Sequence, residues 1–368
     1  MYCTSSEGTG GVIREKPEYF RVEEILNGRV IRIFEPLSII MDFLPKPKKM
    51  YLHFTLVKKN WNTIDAVREI AGQLKIGMRK FGFCGLKDKR AITAQRVSVF
   101  NEDIAKLRRF RAKGIWLHSF SYENFALREG MHDGNLFTIT ITRVKNARAL
   151  NDFLKEVDKI RNFYGIQRFG EVRPNHLVGR EIVKGNLEKA AKLFLTMGDE
   201  PYRRWLAENW PDFRGALQRF PKYLWPERRM LAHLIKAPKD YAGAFRTLPL
   251  RLRRIFTAAY QSYLFNKRVK DFEGEILVVP GFDMTEDEEG VYRYIFKEEG
   301  ITKDDLRCKK MPELRLKKSY RDVYLRPKII KAKTYKTKIL LKFVLSKGKY
   351  ATVLLDELMK VGPCKYCF

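Results

Sequence analysis

What most limits how this chain can fold is where its two periodicities fall: strand-like runs lie towards both ends, and a long helical stretch fills the middle. Phe137, Ile139 and Ile141 alternate with Thr138, Thr140 and Thr142 behind the turn Asp133-Gly134-Asn135, the period of a half-buried strand. Arg96–Phe100 reads as another strand. Near the other end, Ile339–Leu345 and Tyr350–Leu355 flank Ser346-Lys347-Gly348-Lys349, which predicts a hairpin. Between these ends, Leu187, Ala190, Ala191, Phe194 and Leu195 recur at helical spacing, and Leu252–Val269 reads as one helix. Two further helices are expected earlier. One starts at Thr63 as N-cap and buries Ile64, Val67, Ile70, Ala71 and Leu74; the other carries Phe153, Leu154, Val157 and Ile160. Residues 1–13 are rich in Gly, Ser and Thr and read as loop or extended chain. This order predicts an α+β fold interrupted by a largely helical insertion, and 368 residues suffice for two domains.

Charge narrows the partners. Lys and Arg number 73 against 43 Asp and Glu, a formal net charge of +30 in a chain that is 13% aromatic. A basic excess with many aromatics is the footprint of a nucleic-acid binder. An anionic membrane surface is the rival partner, but the cations are spread along the chain and no apolar run reaches the roughly 18 residues a membrane helix needs. No secretory leader is expected. Five cysteines (Cys3, Cys84, Cys308, Cys364, Cys367) are an odd and sparse set, which fits a reducing cytoplasm. Cys364 and Cys367 make one CxxC, half of a usual zinc ligand set, and the five histidines show no metal-binding spacing, so no metal is expected.

One short segment concentrates chemistry. In Gly82–Gln95 a single carboxylate, Asp88, sits between Lys87, Lys89 and Arg90, with glycines just upstream and a strand after it. Three cations beside one acid favour its charged form, and Lys87, Lys89 and Arg90 would also suit a phosphate backbone. A solvated charged turn is the alternative reading of the same residues. No dinucleotide fingerprint and no phosphate-binding loop occurs elsewhere in the sequence.

Five segments, in order along the chain, resemble the TruD family of tRNA pseudouridine synthases. Arg14–Glu24 is similar to the family's basic-x-x-P-E-D-F-x-V-x-E, with Tyr19 in place of the Asp. The Asp88 segment resembles G-x-K-D-x-x-A-x-T-x-Q, and Asn162–Gly170 resembles N-Y-F-G-x-Q-R-F-G with Phe163-Tyr164 where Tyr-Phe is commoner. Phe256–Asn266 resembles part of the family's insertion domain. Phe343–Leu358 resembles F-x-L-P-x-G-x-Y-A-T-x-x-x-R-E-L, with Ser346 for the Pro and Asp356 for the Arg.

The resemblance implies a pseudouridine synthase catalytic domain with a mixed or antiparallel sheet, built from residues 1–187 and 326–368, and a largely helical insertion domain over 188–325. It implies an RNA-modifying isomerase that acts on tRNA at position 13, in the D arm. Asp88 would be the catalytic residue, as nucleophile or as an aid to fragmentation. Arg14 would orient it, Phe20 and Tyr164 would offer ring faces, and Asn162 would offer a donor and an acceptor. Gln167 and Arg168 would stabilise their loop. An isomerisation needs no cofactor. The expected setting is the cytoplasm, with no membrane and no obligatory protein partner.

Overall fold

The computed structural model describes residues 2–42, 44–170 and 175–362. Cys364 and Cys367 lie outside these. Eleven strands run in chain order among the described residues: β1 (Phe20–Leu26), β2 (Arg29–Val30), β3 (Tyr51–Lys59), β4 (Phe81–Phe83), β5 (Ile92–Phe100), β6 (Ile115–Glu123), β7 (Gly134–Ile141), β8 (Ile276–Val279), β9 (Ser319–Asp322), β10 (Lys328–Tyr335) and β11 (Lys338–Ser346). The chain divides into two compact units. One comprises Tyr2–Ile160 and residues 325–362; the other is Arg161–Tyr324.

The first unit is organised by one mixed sheet in the order β10-β11-β7-β1-β5-β3-β6, with β2 beside β1 and β4 beside β5. Only β1 and β5 pair in parallel, with Arg21 opposite Ile92 and Glu23 opposite Ala94. That pairing sets the start of β1 beside the end of the Asp88 segment. The strands bury apolar residues because their side chains alternate across the pleat. Leu52, Phe54, Leu56, Val97 and Val99 pack with Ala66, Val67 and Ile70 of the helix Thr63–Gln73. Phe137 stacks on Phe343 across β7 and β11 at 5.1 Å.

Two local expectations are corrected. Tyr350–Leu355 is not the second strand of a hairpin, because Ala351–Met359 forms a helix. Both edges of β11 are already taken, by β10 and β7, so no position remains for a following strand. The nearly continuous apolar run had fitted a buried strand as well as a buried helix. Glu357 of this helix accepts from the Cys3 and Thr4 amides, which fastens the N-terminal residues. The cap of the helix Thr63–Gln73 is Asn62, whose side chain accepts from the Asp65 amide at 2.8 Å. Thr63 is thereby left for another task, described below.

The second unit is mostly helical, with β8 and β9 as a two-stranded sheet. Its longest helix, Leu250–Val269, packs against the helix Asn175–Val183. Gly179 permits the close approach, since a Cβ there would stand 2.0 Å from the Phe256 carbonyl oxygen. Because Asn175–Val183 is committed to Leu250–Val269, the unit reaches back to Arg161, whereas the sequence reading placed the inner boundary at 187/188. A wholly buried ion pair, Arg203 with Glu227 at 2.8 Å, joins two of its shorter helices.

Candidate active site

Asp88 lies in the segment between β4 and β5, and neutral and charged anchors hold that segment from three sides. The Lys87 amide donates to Thr63 Oγ1 at 2.9 Å, and Thr63 Oγ1 donates to Gln95 Oε1 at 2.8 Å. Gln95 Nε2 then donates to the Gly85 carbonyl at 3.0 Å. Freed from capping, Thr63 thus couples the helix, the loop and β5. Lys87 points inward and pairs with Glu24 of β1 at 2.7 Å, with both side chains buried. The second Glu24 oxygen accepts from the Arg96 amide at 2.9 Å. Below the loop, Lys58 of β3 donates from Nζ to the carbonyls of Trp61, Lys87 and Asp88.

What this scaffold leaves to solvent is the Asp88 carboxylate, 32% exposed and paired to Arg14 Nη2 at 2.6 Å. Arg14 takes a left-handed backbone conformation, φ 60°, just before the turn Pro17–Tyr19 that leads into β1. A non-glycine residue held there stores of order 1–3 kcal/mol. Its guanidinium lies 4.2 Å from the centroid of the Phe20 ring. Phe20 is 1% exposed, so in this structure its ring is a platform under Arg14 rather than an open face. Cys84, the other nucleophile type in the segment, is buried, and burial pushes its thiol up to about 12. A thiol so hard to ionise is a poor nucleophile. Lys89 and Arg90 are exposed and suit phosphate contact; Lys87 is committed to Glu24.

Asn162 and Tyr164 belong to the other unit and form their own cluster there. Asn162 is buried, donates from Nδ2 to the Asp322 carbonyl at 3.0 Å, and accepts from Arg321 Nη2 at 2.8 Å. The Arg321 guanidinium sits 4.1 Å from the Tyr164 ring centroid, and Phe265 meets that ring edge-on. The Tyr164 backbone is pinned at both ends by Asn266, which accepts from its amide at 2.8 Å and donates to its carbonyl at 3.0 Å. Arg168 donates to Ser262 at 3.0 Å and lies 5.7 Å from the same ring. The sheet unit therefore brings together Arg14, Phe20 and Asp88, and the helical unit brings together Asn162 and Tyr164.

A profile of tRNA pseudouridine synthase D (TruD) matches residues 1–275 and 275–358. The chain belongs to the TruD family. Curated relatives named as tRNA pseudouridine synthase D include one from Methanopyrus kandleri, 38% identical over 83% of this chain and 84% of its own. Another, from Methanocaldococcus jannaschii, is 35% identical over 96% of both chains. A crystal structure assigned to TruD from Methanosarcina mazei superposes with a TM-score of 0.76 at 30% identity, covering 99% of this chain and 96% of the other. The α+β architecture with its mixed sheet is thus that of a TruD enzyme.

Sequence reasoning missed Lys58 and Arg321. Lys58-Lys59-Asn60 looks like a surface charge run, and Arg321 stands in no quoted motif. Glu24 and Gln95 were within reach, since each closes a TruD motif. Their roles as anchors appear only with the contacts. Asp356, where TruD proteins more often carry Arg, lies half-exposed on the helix Ala351–Met359.

Proposed function

We propose that this TruD enzyme converts uridine 13 of tRNA, in the D arm, to pseudouridine, with Asp88 as the catalytic residue. The observation that carries the reading is the Arg14–Asp88 pair: one partly exposed carboxylate, oriented by one guanidinium, at the tip of a loop anchored by buried contacts. The reaction breaks the bond from C1′ to N1 of uracil, turns the base, joins C1′ to C5, and gives up the C5 proton while N1 takes one up. The sum is an isomerisation that calls for no cofactor. A fixed carboxylate serves it either by attacking the nucleotide or by taking a proton from the ribose as the base departs.

In this reading Arg14 orients Asp88, and Phe20 supports Arg14. Tyr164 serves the detached uracil as a ring face, and Asn162, being buried, holds Arg321 against that ring rather than meeting the base itself. Lys89 and Arg90 contact phosphates. The sheet unit is the catalytic domain, and the helical unit is the insertion that helps hold the tRNA. Among the described residues no helix is long and apolar enough to cross a membrane, and we assign the enzyme to the cytoplasm, acting without an obligatory protein partner.

The test is Asp88→Asn, which keeps the shape and removes the charge. Single-turnover pseudouridine formation on transcribed tRNA, mapped by chemical probing, is expected to fall by about 10⁴-fold or more, the upper end of what a positioned acid–base group supplies. Binding is expected to change little, because it rests on many phosphate contacts. Appreciable product from Asp88→Asn overturns the assignment, and product at another uridine overturns position 13.

A further inference from the structure

Lys58 is a wholly buried lysine with no carboxylate among its hydrogen-bond partners. Its Nζ donates to the carbonyls of Trp61 at 2.7 Å, Asp88 at 2.8 Å and Lys87 at 3.1 Å. An ammonium has three hydrogens, and three acceptors meet it. A neutral amine has two, and its lone pair would then confront a carbonyl oxygen.

The identity of the acceptors matters. The Lys87 carbonyl belongs to the peptide plane before the Asp88 Cα, and the Asp88 carbonyl to the plane after it. Pinning both planes to one atom fixes the two soft dihedrals of Asp88, and with them the direction of its Cα–Cβ bond. The Trp61 carbonyl ties the same ammonium to the turn before the helix Thr63–Gln73. We propose that Lys58 is a positioning residue for the TruD reaction, clamping the two peptide planes that flank Asp88 so that its carboxylate is held on aim.

All three hydrogens are used, so Lys58 is not itself the acid or base. Arginine could not replace it, because its donors spread in a plane instead of converging from one atom. The inference rests on Asp88 being the catalytic residue.

The clamp needs the charged form. Burial draws the Lys58 ammonium down from its ordinary value to about 7, with the Asp88 carboxylate opposing and Lys87 assisting. Asp88 is paired in turn with Arg14, and Lys87 with Glu24. The residues opposite Lys58 on β5 and β6, Thr93 and Ile115, carry no charge, and neither does nearby Thr63. Rate and stability should therefore move in opposite directions. Above the folded pKa the third donor is lost and the rate falls. Between the folded pKa and the ordinary lysine value the unfolded chain binds more protons, so the Lys58 contribution to stability rises with pH.

The experiment compares the full chain and Lys58→Met in single turnover on transcribed tRNA, from about pH 6 to about pH 9. At the acid end Lys58→Met should be slower by about 10²-fold, the cost of misplacing a reacting group by about 1 Å, with tRNA affinity within a few-fold. The full chain should lose rate as pH rises, and the variant should lack that limb. A variant as fast as the full chain at the acid end, or one that shares the limb, overturns the clamp.

Hydrogen exchange of the peptide spanning 85–91 in the unaltered protein gives a reading that does not depend on the variant folding. Its protection should fall over the same pH range as the rate; constant protection while the rate falls overturns the proposal. If the loop loosens as expected but Asp88→Asn is active, the fault lies with the catalytic assignment and not with the clamp.

Discussion

Each unit lays a guanidinium on an aromatic ring, and the two contacts are almost the same length. Arg14 sits 4.2 Å from the Phe20 centroid in the sheet unit, and Arg321 sits 4.1 Å from the Tyr164 centroid in the helical unit. Their uses differ. Arg14 carries its charge to a carboxylate, and its ring is buried. Arg321 spends its donors on the Asn162 amide and backbone, and its ring is only half-buried. The anchoring follows the same division. Charged side chains, Lys87 with Glu24 and Lys58 on its carbonyls, hold the Asp88 loop, whereas the amide of Asn266 holds Tyr164. A ring meets a cation in both places, and what lies at the cation's far end decides whether the place handles charge or presents a surface.

The division is broken most directly at the anchors. Lys87→Met leaves Glu24 buried with one oxygen facing no cation, and stranding one half of a buried pair costs about 3–5 kcal/mol. Asn266→Ala strands only neutral backbone groups, at about 1–3 kcal/mol. Urea denaturation of the two variants should rank them in that order. Equal costs would mean that charge is not what distinguishes the Asp88 anchor.

The two stacked guanidiniums give the next contrast. Arg14→Met should slow single turnover by about 10²-fold, because orientation of a reacting group at the 1 Å level is worth that much. Arg321→Met removes two hydrogen bonds to Asn162, a longer one to the Phe163 carbonyl and a ring contact, but it leaves the Arg14–Asp88 pair untouched, so the loss should be nearer tenfold, about 1.4 kcal/mol. If Arg321→Met proves the more damaging in single-turnover assays, the helical unit does more than present a surface.

Much of this arrangement was legible in the sequence. Period-2 runs at both ends and period-3.6 runs between them identified the α+β class, and the Gly82–Gln95 segment marked the Asp88 loop. What escaped reading has physical causes. Leu354 and Leu355 sit in an apolar run that satisfies strand and helix alike, and only the occupied edges of β11 decide for helix. Lys87 and Lys58 sit in basic runs like any solvated charge. Their burial depends on Glu24 and on backbone carbonyls brought close by sheet pairing, which no local pattern encodes. Thr63 had the chemistry of a cap but stands next to a better-placed one, Asn62.

The finest contrast lies within one side chain. Tyr164 differs from the commoner Phe of TruD proteins only by its hydroxyl, so ring and hydroxyl can be tested separately. If the helical unit presents a surface, the ring matters and the hydroxyl does not. A base stacked on an aromatic ring is worth about 1–3 kcal/mol, so Tyr164→Ala should slow single turnover by about 10- to 100-fold, at roughly 1.4 kcal/mol per tenfold. Tyr164→Phe keeps the ring beneath Arg321 and should stay within a few-fold of the unaltered enzyme. The Asn266 anchors are to the Tyr164 backbone, so neither change removes them. A loss of about 100-fold in Tyr164→Phe, the size of general acid–base assistance, would show that the hydroxyl moves a proton. The helical unit would then take part in the chemistry, and the division between a charged place and a presenting one would fail at this residue.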